Sequence, residues 1–292
     1  MKVGVQVNNY NLPGGPDRLG TALAEIAHAA DAGGFACLGV QDHVWESAYI
    51  GVPEGPVPEC YTTLGFLAAH TSHIKLLAIV SPVSYRHPGM LAKTVTTLDV
   101  LSGGRAWLGT GVGDYEAEAR GLGIPFPPVK ERFEQLEEVL QICLGMWTGE
   151  HGSDRSFVGT HYRLDRLLNA PQSRTRPHPP ILIGGSGERT LRVVARYADA
   201  CNLRPSPDLP QKLEILRQHC EAVGRDYDSI EKTCMFGLDI GEDHTKAGAL
   251  IEQLRWLASM GVQTAIGAIP ARDPVATLDI VGREVISAVA DL

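Results

Sequence analysis

Short runs of apolar residues alternate along the chain with longer segments in which apolar residues recur every three or four positions. The short runs are apolar or β-branched, which is typical of buried strands, and the longer segments have the period of amphipathic helices. The predicted strands are Lys2–Val7, Cys37–Gln41, Leu76–Val80, Ala106–Thr110, Ile181–Gly184, Ala200–Leu203, Lys232–Leu238 and Thr264–Ala268. This alternation is the pattern of repeated βαβ units.

Several of the intervening segments carry a clear apolar helical face. The clearest faces are formed by Leu19, Leu23, Ile26, Ala27 and Ala30, and by Phe133, Leu136, Val139, Leu140, Cys143, Leu144 and Trp147. Eight strand–helix units predict one domain over residues 1–292, folded as a closed (β/α)8 TIM barrel with loop insertions. A doubly wound open sheet is the alternative, and eight regular units favour closure.

Two stretches interrupt the repeat. Ile50–Pro58 is rich in Gly and Pro and predicts an irregular loop after the second strand. Residues 150–180 contain turn residues and a predicted hairpin around Phe157–Leu164. We expect these stretches, together with residues 114–128, to carry the substrate contacts, although the sequence does not identify the substrate. Catalytic groups of such barrels lie at the carboxyl ends of the strands.

Composition and charge limit the cellular compartment and the classes of binding partner that we expect for this protein. The chain is 44% hydrophobic and carries a formal charge of −8, which argues against nucleic acid or an anionic membrane as a partner. Six scattered cysteines without a CxxC motif suit a reducing compartment. The first seven residues alternate like a strand and lack the apolar core of a signal peptide. We therefore expect a cytoplasmic protein that acts on a small molecule.

Two glycine-rich turns follow predicted strands. The turn Gly184–Gly187 leads into a helix, so its backbone N–H groups and the helix N-terminus favour a bound phosphate. A plain tight turn is the alternative. The turn Gly109–Asp114 lacks the final glycine of a dinucleotide fingerprint and lies in the fourth unit. We interpret it as a loop that approaches a cofactor.

Histidines offer one candidate for catalysis. His43 follows Asp42 at the end of the second strand, where an imidazole can exchange protons near neutral pH. A structural loop histidine is an equal alternative. His70 and His73 have the spacing HxxH but no third ligand, so we expect surface residues there and predict no metal site.

Several longer segments resemble the luciferase-like monooxygenase superfamily. The resemblance is carried by residues 85–105, Leu108–Gly111, Pro127–Phe133, Pro180–Gly187 and Arg196–Asn202, and it extends over residues 2 to 240. Within that superfamily the chain is most similar to the branch that uses coenzyme F420, a deazaflavin. The resemblance implies the same (β/α)8 barrel that the periodicity predicts.

The resemblance also implies roles for individual residues. A non-prolyl cis peptide, which falls at Ile79–Val80 here, backs the flavin ring in this family. The proton-handling histidine corresponds to His43, and a second acid to Asp114. The cofactor phosphate is assigned to Val112, Gly113, Gly185, Ser186 and Gly187.

The implied activity is hydride transfer between F420 and a small organic substrate. The first alternative is an FMN-dependent monooxygenase that uses reduced flavin and O2 and needs a separate reductase. A barrel that binds flavin without catalysis is a third hypothesis. A phosphate-binding isomerase or aldolase is disfavoured because no lysine ends a strand to form a Schiff base. The family resemblance further implies a homodimer.

Overall fold

Eight parallel strands close into a barrel in the computed structural model, which describes residues 1–48, 50–241, 243 and 245–292. The strands are β1 (Lys2–Val7), β2 (Cys37–Val40), β3 (Lys75–Ala78), β4 (Ala106–Gly111), β5 (Ile181–Gly184), β6 (Ala200–Leu203), β7 (Glu231–Gly237) and β8 (Thr264–Ala268). Each strand pairs with the next, and β8 pairs with β1. The predicted closed barrel is confirmed, and the open sheet is excluded.

Helices surround the barrel in the order that the sequence predicts. They are α1 (Leu19–Ala32), α2 (Cys60–Ala69), α3 (Pro88–Ser102), α4 (Glu116–Gly121), α5 (Val129–Met146), α6 (Glu188–Tyr197), α7 (Leu209–Val223), α8 (Ala247–Ser259) and α9 (Pro274–Ile280). The apolar face of α1 is buried as expected. The short α4 was not predicted, because six residues are too few to display a helical period.

The third strand ends earlier than the predicted Leu76–Val80. The chain leaves the ladder after Ala78, and Ile79 and Val80 are joined by a non-prolyl cis peptide, as the family resemblance implied. Pairing with β4 resumes at the two-residue strand Ser81–Pro82. Gly109 on β4 makes this bulge possible, because a Cβ there would overlap the carbonyl oxygen of Ala78.

Apolar side chains fill two regions. A small cluster inside the barrel consists of Cys37, Leu77, Leu182, Ala200 and Ile266. The larger cluster packs the outer faces of the strands against the helices. All six cysteines are buried and free. The barrel is therefore a solid support for groups at the carboxyl ends of its strands.

The insertion at residues 150–180 lies against the outside of α5. Its strand Phe157–Val158 pairs antiparallel with Arg163–Leu164, which confirms the predicted hairpin. The carboxylate of Glu138 on α5 accepts hydrogen bonds from three successive backbone N–H groups at residues 160–162. These bonds fix the hairpin tip to the helix.

Candidate active site

A cavity of about 860 Å³ opens at the carboxyl ends of the strands, and this volume is ample for a cofactor and a small substrate. It is lined by Gln6, His43, Ile79, Val80, Pro82, Gly111, Val112, Gly113, Asp114, Gly184, Gly185, Ser186, Gly187, Thr190, Asn202, Leu203, Arg204, Pro205, Met235, Phe236 and Gly237. All nine predicted site residues are on this lining. Of the segments expected to carry substrate contacts, residues 114–128 contribute Asp114 to the lining, and no described residue of the insertion at 150–180 or of Ile50–Pro58 belongs to it. Substrate contact from these segments stays a prediction.

Hydrogen bonds hold the bulge after β3 in place at the floor of the cavity. The Nε2 of Gln6 donates to the carbonyl oxygen of Ile79 at 3.1 Å, and the Oγ1 of Thr110 donates to that of Ser81 at 3.1 Å. The side chains of Ile79 and Val80 thereby present a fixed apolar surface to the cavity. Sequence reasoning missed Gln6, although a lone polar residue inside an apolar strand was a usable signal.

The two glycine turns follow the neighbouring strands β4 and β5, and both line the cavity. Gly113 and Gly185 have φ values of 75° and 121°, which favour glycine. A Cβ on Gly184 would lie 3.0 Å from the methyl carbons of Val80, so only glycine leaves the full space there. The ten-residue α6 begins immediately after Gly187. Backbone N–H groups at a helix N-terminus bind anions, so this turn suits a phosphate.

Arg132 supports the first turn from behind. Its guanidinium donates to the carbonyl oxygens of Val112, at 3.1 Å, and Gly113. The same group stacks on the ring of Phe126, 3.9 Å from the ring centre. The arginine is buried, so it places positive charge beneath the predicted phosphate loop. Sequence reasoning missed this role because Arg132 lies on α5, away from any strand end.

His43 pairs with a carboxylate that sequence reasoning did not identify. Its Nδ1 lies 2.8 Å from Oε2 of Glu118, whose side chain is fully buried on α4. Burial alone would lower the pKa of His43. The hydrogen bond to Glu118 and the charges of Glu118, Asp114 and Asp42 outweigh burial, so the pKa is raised.

Glu118 accepts three further hydrogen bonds. Its Oε1 takes the backbone N–H groups of Val44 and Trp45 at 2.6 and 2.7 Å, and its Oε2 also takes the hydroxyl of Tyr85. Burial alone would raise the pKa of Glu118, but these donors and His43 stabilise the anion and lower the pKa. The carboxylate therefore fixes both the histidine and the loop that carries it.

Asp42, the residue before His43, has a separate set of hydrogen-bond partners. It is buried and accepts hydrogen bonds from the Oγ of Ser81, at 2.6 Å, and from both terminal nitrogens of Arg86. Arg86 also lies over the ring of Tyr61, 4.8 Å from its centre. Neighbouring residues at the end of β2 thus have different surroundings: Asp42 is in a partly buried ion pair and His43 lines the cavity.

Asp114 lies at the rim of the cavity. Its carboxylate is 3.8 Å from the guanidinium of Arg204, and both side chains are about three-quarters exposed. The role of second acid stays a prediction for this residue.

The ring of Trp45 packs where a Cβ on Gly121 would lie, and this tryptophan is not part of the cavity lining among the described residues.

Metal-ligand clusters and membrane-spanning helices are both absent from the described part of the chain. No group of three or more His, Cys, Asp or Glu residues in it could hold a metal ion. None of its helices combines the length and the apolar character needed to cross a membrane.

Residues 1–278 match the model of the luciferase-like monooxygenase family. The chain belongs to that family. Among its relatives, an F420-dependent glucose-6-phosphate dehydrogenase of Nakamurella multipartita is 30% identical over 246 residues, which are 82% of this chain and 69% of that protein. An FMNH(2)-dependent dimethylsulfone monooxygenase of Pseudomonas putida is 31% identical over 141 residues, 48% of this chain and 38% of that protein.

Solved structures support the fold. The coenzyme F420-dependent tetrahydromethanopterin reductase of Methanopyrus kandleri superposes with a TM-score of 0.80 at 18% identity, over 98% of this chain and 99% of that one. This chain and the reductase therefore share the barrel fold over nearly their whole lengths.

Proposed function

We propose that this protein is an oxidoreductase that transfers a hydride between coenzyme F420 and a small organic substrate. One observation carries the proposal: a histidine paired with a buried carboxylate opens onto the same cavity as two phosphate-suited glycine turns. The relative from Nakamurella multipartita, named as F420-dependent, supports the choice of cofactor.

The lining fits a flat ring that carries a phosphate. The apolar side chains of Ile79 and Val80 would support the ring, and the turn Gly185–Gly187 would hold the phosphate at the N-terminus of α6. Val112 and Gly113, at the end of the neighbouring strand β4, would contact the same phosphate, and Arg132 holds their carbonyl oxygens. These residues lie on one continuous surface, so one cofactor can contact them together.

The bound deazaflavin would supply the position that accepts or donates the hydride. Oxidation of an alcohol removes a hydride from carbon and a proton from oxygen. We assign the proton to His43, which exchanges it with the substrate oxygen as the carbonyl forms or is reduced. Asp114 at the rim adds negative charge near the histidine.

The second candidate is an FMN-dependent monooxygenase. The relative from Pseudomonas putida favours it, although that match covers less than half of this chain. FMN also has a tricyclic ring and a phosphate, so the same lining fits it. In that case a separate reductase would supply the reduced flavin. The homodimer and the cytoplasmic location stay predictions.

The two candidates differ in their need for O2. The purified protein is mixed anaerobically with oxidised F420 and a panel of small alcohols, and then with reduced F420 and the matching aldehydes and ketones. We expect cofactor turnover without O2. Turnover of the panel only with reduced FMN and O2, and none with F420, would contradict the proposal.

A further inference from the structure

The pair of His43 and Glu118 fixes more than the position of a ring. A neutral imidazole carries its proton on either Nδ1 or Nε2, and its hydrogen-bond partner selects which. Nδ1 of His43 lies 2.8 Å from a carboxylate oxygen, and an ionised carboxylate can only accept. Nδ1 must therefore donate.

We propose that Glu118 is a positioning residue that holds neutral His43 in the Nδ1-protonated form and so leaves Nε2 as the atom that exchanges the proton in the cavity. The role in catalysis rests on the proposed function. The tautomer itself does not, because it follows from the contacts of the protein alone.

The surroundings of Glu118 hold its carboxylate in one orientation. Its side chain has no exposed surface, and each oxygen receives two donors. Rotating the carboxylate would break the part-buried hydrogen bonds that it accepts from the backbone N–H groups of Val44 and Trp45. The donors from the loop thus hold the acceptor that orients His43.

Other charged and titratable groups around the histidine do not compete for Nδ1. Asp114, from the loop after β4, and Asp42, beside it on the chain, act on His43 through their charge. Tyr85, from the segment after β3, donates its hydroxyl to Glu118. The ring of Tyr115 meets that of His43 edge-on, with centres 5.7 Å apart.

Substitution of Glu118 by glutamine tests the proposal sharply because it preserves size. The amide oxygen can still accept from Val44 and Trp45, while the amide NH2 then faces Nδ1. A donor at that place makes Nδ1 an acceptor and moves the proton of neutral His43 to Nε2. We therefore expect Glu118→Gln to invert the tautomer and to lower the pKa of His43.

The matched control is Glu116→Gln. Glu116 lies on the same short helix, but it is half exposed and pairs with Arg120 at 2.7 Å. This change removes one negative charge from α4 without altering the partner of His43. We expect its tautomer to stay as in the unmodified protein.

The measurement is the pair of ring ¹⁵N chemical shifts of His43 across pH, in cofactor-free protein labelled at histidine. A His43→Gln sample assigns the signal among the ten histidines. The proposal requires Nδ1–H in the neutral form of the unmodified protein and of Glu116→Gln, and Nε2–H in Glu118→Gln. Nε2–H in the unmodified protein would overturn it, even if Glu118→Gln failed to fold.

Turnover supplies an independent readout once a substrate is found. With the wrong tautomer presented to the cavity, Glu118→Gln should lower kcat by up to about 100- to 10,000-fold and shift its pH profile, with little change in KM. Glu116→Gln should retain the unmodified values. Failure of F420 to bind would refute the proposed function and leave the tautomer result intact.

Discussion

Substitution of Gly109 by alanine should destabilise the protein at one defined place, the contact between β4 and the bulge after β3. The Cβ of an alanine there would lie far inside 3.0 Å of the carbonyl oxygen of Ala78, a separation that real Cβ atoms essentially never show. The atom it meets is backbone on the neighbouring strand, so no side chain can rotate away. Relief requires β3 and β4 to move apart at the bulge.

The expected cost has two parts. Forcing extra volume into a packed interior costs about 1–3 kcal/mol. Separating the strands also weakens the 3.1 Å hydrogen bond from Thr110 to the carbonyl of Ser81, which contributes about 0.5–1.5 kcal/mol. We therefore expect Gly109→Ala to lower the free energy of unfolding by about 1.5–4.5 kcal/mol.

Urea denaturation of Gly109→Ala and of a matched control measures this effect. The control is Gly65→Ala in α2, where an added Cβ meets no atom within 4 Å. An alanine is preferred over glycine inside a helix, so the control should be unchanged or more stable by about 0.4–1 kcal/mol. A stability for Gly109→Ala within about 0.5 kcal/mol of the unmodified protein would refute the described bulge.

Three other predictions concern the site and the thiols. His43→Ala should lower kcat about 100- to 10,000-fold while the Kd for F420, measured by titration, stays nearly constant; a matching loss of binding would contradict the assigned role. The contribution of the pair to stability, measured as the difference between the unmodified protein and His43→Gln, should be present between the lowered pKa of Glu118 and the raised pKa of His43. As pH rises through the folded pKa of His43, the ionic part of this contribution should be lost, because the neutral ring keeps only its hydrogen bond from Nδ1 to Glu118. The contribution should also be lost as pH falls through the pKa of Glu118, and a pH-independent difference would argue against an ion pair. Burial raises the pKa of Cys37, Cys143, Cys201 and Cys234 to about 12, so a thiol reagent at about pH 8 should count six thiols only after denaturation. Rapid reaction of the native protein would show that the core is open.

The barrel could be predicted because its signals are local. Each strand is a short apolar run, so four of the eight were predicted with the bounds that the structure shows, among them Lys2–Val7 and Thr264–Ala268. The predicted end of the third strand was wrong because the ladder breaks at Ile79. That break depends on the carbonyl contacts of Gln6 and Thr110, which belong to other strands.

The site was predicted only in part, because some of its contacts join residues that are far apart in the sequence. Glycine turns and a histidine at strand ends are visible in the sequence, and the structure brings them to one cavity. The partner of His43 lies 75 residues away, on a helix too short to show a period. In the sequence, Glu118 is not distinguished from the nearby acidic residues Asp114 and Glu116. The folded structure shows that, of these three, Glu118 is the one buried against His43.

The most direct test of the proposed function is titration of the purified protein with oxidised F420 and, separately, with FMN, followed by tryptophan fluorescence. The lining of the cavity fits both cofactors, and the F420-dependent relatives favour the deazaflavin, so we expect F420 to bind at micromolar concentration or tighter and FMN much more weakly. Preference for FMN would make the protein a monooxygenase component that needs a reductase. Binding of neither would contradict the proposed function and leave the barrel unaffected.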